Sequence, residues 1–138
     1  DEVLAAVAAG LGRMVEGVGG REWAHSLLPP LEVLLTVEES TVRDAASASA
    51  RIVSDALPDE AFDTRYAPMV SRLGGKEWFT ARTSACSLIA SGYRRLGTQK
   101  LRDEHVALFA ELCRDDAPMV RRVAAQHLGE LLGAVAEK

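Results

Sequence analysis

Val42-Arg43-Asp44-Ala45-Ala46, Ala81-Arg82-Thr83-Ser84-Ala85 and Val120-Arg121-Arg122-Val123-Ala124 follow one another at an interval of 39 residues, and that interval sets the architecture. Around the arginines Arg43, Arg82 and Arg121 the neighbours repeat too, with an acidic residue five places before each (Glu38, Glu77, Asp116). A leucine stands nine places before (Leu34, Leu73, Leu112) and an alanine three places after (Ala46, Ala85, Ala124). Farther on, Leu57, Leu96 and Val135 fall in register. A period of this length belongs to a solenoid, in which each repeat is one supersecondary unit that cannot bury its apolar face alone and so stacks on its neighbours.

The 138 residues then divide into about three and a half units rather than one globule. Complete units are expected at 20–57, 58–97 and 98–138, preceded by residues 1–19 as the second helix of a truncated unit. One period before Arg43 lies Leu4, with Val3 ahead of it and Val18 in register with Leu57, although Leu4 replaces the arginine and Val7 the small alanine. The chain has no initiating Met, and Ala136-Glu137-Lys138 does not read as a polar capping unit. Both features lead to the expectation of a piece of a longer array.

Each unit reads as two helices separated by a short polar stretch. Trp23, Leu27, Leu28, Leu31, Leu34 and Leu35 are spaced mostly by three or four, as are Ala46, Ala50, Val53 and Leu57. The next unit offers Phe62, Tyr66, Met69, Val70 and Leu73, then Ala85, Leu88, Ile89 and Leu96. The last offers Leu101, Leu108, Phe109 and Leu112, then Val123, Ala124, Leu128, Leu131, Leu132 and Val135. Gly19-Gly20, Leu57-Pro58 and Gly97-Thr98 mark the joins. Pro29-Pro30 and Pro68 fall inside first-helix patterns, where a proline removes a backbone donor and bends the helix. The third unit has Ala107 at that place, so its bend is weaker or absent.

Charged residues make up 26% and apolar ones 48%, an ordinary soluble balance, and a net charge of −4 argues against a protein that tracks phosphates. Nucleic acid is therefore excluded as a first reading. No apolar run approaches the roughly 20 residues that cross a bilayer, so no membrane span is expected. Cys86 and Cys113 lie apart within helical patterns, as small hydrophobes of a reducing compartment, which points to the cytoplasm and also admits the nucleus. His25, His105 and His127 are scattered, with neither a nucleophile nor a second ligand at metal spacing. Gly74-Gly75 lacks the strand-turn-helix context of a phosphate loop. Neither an enzyme, nor a metal site, nor a cofactor is expected.

A kinked first helix, an acidic turn and Val-Arg opening the second helix together form the pattern of HEAT repeats. The likeness sharpens in the turns Thr36-Val37-Glu38-Glu39-Ser40-Thr41-Val42-Arg43, Gly74-Gly75-Lys76-Glu77-Trp78-Phe79-Thr80-Ala81-Arg82 and Asp115-Asp116-Ala117-Pro118-Met119-Val120-Arg121-Arg122. With Leu27-Leu28-Pro29-Pro30-Leu31-Glu32 and Asp1-Glu2-Val3-Leu4, these segments resemble the scaffold (A) subunits of protein phosphatase 2A along the whole chain. By register the chain is similar to the stretch from the second half of the second repeat through the fifth. The resemblance implies an all-α superhelix whose N-terminal repeats hold a variable regulatory B-type subunit, while its C-terminal repeats, outside this chain, hold the catalytic subunit. Both are held through the turns inside repeats.

Read by themselves, the turn residues have plainer uses too. Trp78 is expected to serve as a contact, because a tryptophan buries much area with few rotors, whereas Phe79 either joins it or folds back on the neighbouring repeat. Glu38, Glu39, Asp115 and Asp116 sit where a carboxylate complements a helix N-terminus, and their line of charge would steer a partner. Arg43, Arg82 and Arg121 are expected to form a structural ladder between adjacent turns that satisfies helix-end carbonyls. Arg122 is unique to its unit and is the better contact, while Pro118 fixes the first turn of its helix. The candidate partner-binding set is Glu38, Glu39, Lys76, Glu77, Trp78, Phe79, Asp115, Asp116, Pro118, Met119 and Arg122. Two rival readings remain at this level: a tubulin-binding HEAT array, which also exposes a Trp on its turns, and, less favoured, a HEAT-like enzyme.

Overall fold

A computed structural model describes residues 1–137, and within them the chain is all helical, with no strand. Four helices, α1 (Glu2–Leu11), α3 (Ser40–Ala56), α6 (Phe79–Gly92) and α8 (Pro118–Ala136), lie side by side as one layer. A second layer holds α2 (Leu28–Leu34), the short α4 (Asp59–Ala61), α5 (Ala67–Gly74) and α7 (Gln99–Leu112). The core runs between the layers, with Leu31, Val42, Phe62, Leu73, Ile89 and Val120 each almost wholly buried. No described helix is long and apolar enough to cross a membrane.

The prolines act differently in each unit. Pro29 and Pro30 occupy the first turn of α2, and because neither can donate to a carbonyl four residues back, the chain before them tightens into a 3-10 turn, Ala24–Leu27. Pro68 takes the same place in α5, but there the preceding turn widens into a π-helical one, Phe62–Tyr66, and the Ala67 amide reaches back five residues to the Phe62 carbonyl. With Ala107 in that position, α7 runs unbroken from Gln99 to Leu112. One missing donor is thus absorbed by opposite changes in winding.

Two expected core faces are not fully covered. Trp23 is 57% exposed, because residues 20–23 form a turn rather than a helix and the three-four spacing does not apply there. Its ring lies instead over Gly19, at φ +117°, a conformation that favours glycine and leaves the room the indole takes. Leu128, Leu132 and Val135 are exposed along the face of α8 turned away from α6.

In α6 the reverse holds. Thr80, Thr83, Ser84 and Ser87 are buried together with the apolar stripe, because α6 is packed between α3 and α8 and beneath α5 and α7. Each hydroxyl finds a carbonyl: Thr80 donates to Thr36 O at 2.6 Å, Ser84 to Leu35 O at 2.7 Å, Thr83 to Thr80 O at 2.6 Å and Ser87 to Ser84 O at 3.2 Å. Buried hydroxyls are tolerated only on such terms. Gly74 serves the same close packing, since a Cβ there would come within 2.6 Å of Leu108 Cδ2.

Tyr66 breaks the rule. Its hydroxyl is buried without a hydrogen-bond partner, and burial pushes its pKa well above the ordinary tyrosine range. The nearby Ser54 hydroxyl is turned to its own helix, donating to Arg51 O at 2.8 Å. Since an unpaired buried hydroxyl costs about 1 kcal/mol or more, Tyr66→Phe should raise the free energy of unfolding by about 1 kcal/mol in urea melts. A loss of that size would mean that the hydroxyl is paired after all.

Candidate functional site: the edge of turns

Three turns lie between first and second helices: 35–39 before α3, 75–78 before α6 and 113–117 before α8. Their shape comes from the repeating arginine. Arg43 Nη1 donates to the carbonyls of Val37 (2.7 Å) and Glu38 (2.5 Å), and Arg82 Nη1 to those of Lys76 (2.9 Å) and Glu77 (2.6 Å). Arg121 Nη1 donates likewise to those of Asp115 (2.6 Å) and Asp116 (3.1 Å). In every unit the guanidinium, one turn into the second helix, reaches back to the two carbonyls six and five residues before it. The acidic residue five places upstream contributes its backbone oxygen to this bond, so its carboxylate is left for other uses.

The expected ladder is continuous at one joint alone. Arg82 also grips Asp115 of the next turn bidentately, Nε to Oδ2 at 2.7 Å and Nη2 to Oδ1 at 2.9 Å, with the two side chains 17% and 11% exposed. The guanidinium holds the Asp115 carboxyl below its usual range, while the carboxylate raises the Arg82 pKa. Arg43 has no such rung, because the position in register with Asp115 is Lys76, a second cation. At that joint the link runs the other way, from the Thr80 and Ser84 hydroxyls back to the carbonyls of Thr36 and Leu35. A groove of about 250 Å3 runs across α6 from α3 to α8, bordered by Arg43, Ser47, Thr83, Ser87, Met119 and His127. The signal for this difference is the residue six places before each arginine, Val37, Lys76 or Asp115, which the shared acidic position hides.

The candidate residues separate accordingly. Asp115 belongs to the interior of the ridge: besides Arg82, it accepts the Ala117 amide at 2.9 Å, so it is a joint between units rather than a free contact. Phe79 opens α6 half-buried against the core, the inward one of its two expected alternatives, with its ring 5.5 Å from that of Trp78. Glu39 is the capping residue of α3 yet its side chain accepts no helix amide, so the capping expected of the paired glutamates is absent. Glu38, Glu39, Lys76, Glu77, Asp116 and Arg122 are exposed, as is Pro118 in the first turn of α8. Trp78 is 53% and Met119 42% exposed, large apolar side chains held outward on turns that the arginines fix.

Among the described residues no group of three His, Cys, Asp or Glu side chains could hold a metal ion. His105 is buried with Nε2 3.2 Å from both Ser71 Oγ and the Ala67 carbonyl, and burial lowers its pKa. Burial pushes the Cys86 thiol up to about 12, which makes it unreactive at neutral pH.

Comparison with known proteins agrees with this architecture. Residues 106–135 match the HEAT repeat family. The beta isoform of the serine/threonine-protein phosphatase 2A 65 kDa regulatory subunit from Rattus norvegicus is 48% identical over 130 residues, which is 94% of this chain and 22% of that protein. The alpha isoform from Arabidopsis thaliana is 45% identical over 135 residues, 98% of this chain and 23% of that protein. The protein phosphatase 2A scaffold subunit of Dictyostelium discoideum is 40% identical over 129 residues, 94% and 22% respectively. The chain thus spans about a fifth of the length of the curated relatives it matches. With that identity running through nearly all of its repeats, the chain belongs to the HEAT-repeat family of the protein phosphatase 2A 65 kDa regulatory scaffold subunits.

Proposed function

We propose that this chain is part of a non-catalytic scaffold of a protein phosphatase 2A holoenzyme, in the cytoplasm and the nucleus, and that its turn edge binds a regulatory B-type subunit. The observation that carries the reading is Trp78, half exposed on a turn whose backbone Arg82 holds in place, with Met119 and Arg122 exposed on the next helix start. Preformed turns lower the ordering cost of binding, and an exposed tryptophan beside a second apolar side chain is the composition of an interface anchor. Glu38, Glu39 and Asp116 steer rather than hold, since charges at a rim act mainly on the rate of encounter. The catalytic subunit would be held by repeats outside this chain. The relatives' names favour this reading over a tubulin-binding array or a HEAT-like enzyme.

The test is capture from cell lysate with mass spectrometry, comparing the chain with its Trp78→Ala, Arg122→Ala double variant. Regulatory B-type subunits should be captured by the first and lost by the second. Truncating one interface anchor costs about 2 kcal/mol, roughly thirtyfold in affinity. Equal capture by both would remove the binding energy from these residues. Tubulin in place of the regulatory subunit would favour the rival array, and partner-independent turnover would end the non-catalytic reading.

A further inference from the structure

On the other layer, away from Trp78, a groove of about 200 Å3 runs between the first helices of units 20–57 and 58–97, from Leu28 and Pro29 of α2 to Arg65 on the π-helical turn and Arg72 on α5. Past Pro29 and Glu32 it continues toward Val33 and Lys76. Glu32 is the acid of the groove, and it is already taken: Arg72 donates to it from Nε at 3.0 Å and Nη2 at 2.8 Å, with Lys76 Nζ 4.0 Å away. Arg65 is exposed and makes no ion pair among the described residues. The groove therefore carries surplus positive charge, with Leu28, Pro29 and the exposed Val33 as its apolar residues, on a chain whose net charge is −4.

We propose that this groove docks an acidic segment of a partner polypeptide, its carboxylates on Arg65, Arg72 and Lys76 and an apolar side chain over Leu28, Pro29 and the exposed Val33. Complementary charge rules on a local scale here, because the chain as a whole would draw a cationic peptide instead. The site meets the turn edge at Lys76, and it is told apart from the turn-edge reading by Arg65, which lies on the first-helix layer, whereas Trp78 lies on a turn.

A fluorescein-labelled peptide of repeated Glu-Glu-Leu-Glu units is titrated with the 138-residue chain at physiological salt, following anisotropy and the backbone amide signals. Saturable binding is expected, with shifts at His25, Glu32 and Thr64, about tenfold weaker for Arg65→Glu and retained by Arg65→Lys and Trp78→Ala. A Lys-Lys-Leu-Lys peptide should leave those amides unmoved. No saturable binding of the acidic peptide, binding indifferent to Arg65→Glu, or loss through Trp78→Ala instead would each overturn the proposal. Arg65 is clear of the core, so its variants should melt like the parent.

Discussion

Leu73→Ala is expected to lower the free energy of unfolding by about 3 kcal/mol in urea melts, the typical cost of emptying a core leucine site. Leu73 is fully buried in α5, at the position that Leu34 and Leu112 occupy in the flanking units. The neighbouring Gly74 already lets Leu108 pack against the backbone, so α5 and α7 have little room to close over the vacated volume. A cavity that cannot collapse is the costly kind. A loss below about 1 kcal/mol would show that Leu73 does not fill the repeat core. Leu132→Ala, on the exposed face of α8, should in contrast change stability by about 0.5 kcal/mol or less.

Arg82→Ala should cost about 2 to 3 kcal/mol, because it removes two bonds to turn carbonyls and leaves a largely buried Asp115 without its guanidinium. Arg43→Ala removes carbonyl bonds alone and should cost about 1 kcal/mol. The difference between the two isolates the rung between units. Its pH dependence follows from Asp115, whose pKa the native state depresses. A depressed carboxyl adds stability that is complete above the unfolded-state value near about 4 and fades as pH falls through the native one. The gap between wild type and Arg82→Ala should therefore be constant through neutral pH and narrow below about pH 4. Melts that show the same gap at neutral pH and in acid would remove the ion pair from the account.

How much of this was readable beforehand differs residue by residue. The alternation of paired helices, the burial of Leu34, Leu73 and Leu112, and the common job of the three arginines follow from the 39-residue period. A period repeats the same local environment, and the same residue then meets the same backbone groups. The candidate site was half legible. Trp78 and Met119 stand out by type in a polar turn, whereas Asp115 reads like the other acidic turn residues, and only its meeting with Arg82 across 33 positions takes it inward.

Periodic apolar spacing and proline's missing donor act within a few residues of chain, so the repeat, its register and its helical class were already set by the order of the amino acids. Tertiary packing settled what depends on neighbours. It turned Thr80, Thr83, Ser84 and Ser87 from a polar face into a buried, carbonyl-bonded one, since α3 and α8 flank α6 while α5 and α7 pack behind it. The two proline sites lack the same donor, yet one became a 3-10 turn and the other a π turn, a difference the proline alone does not set. Packing also left the rung between Arg43 and the next turn unformed, since Lys76 repels a cation where Asp115 attracts one, and that pairing exists only once the repeats are stacked.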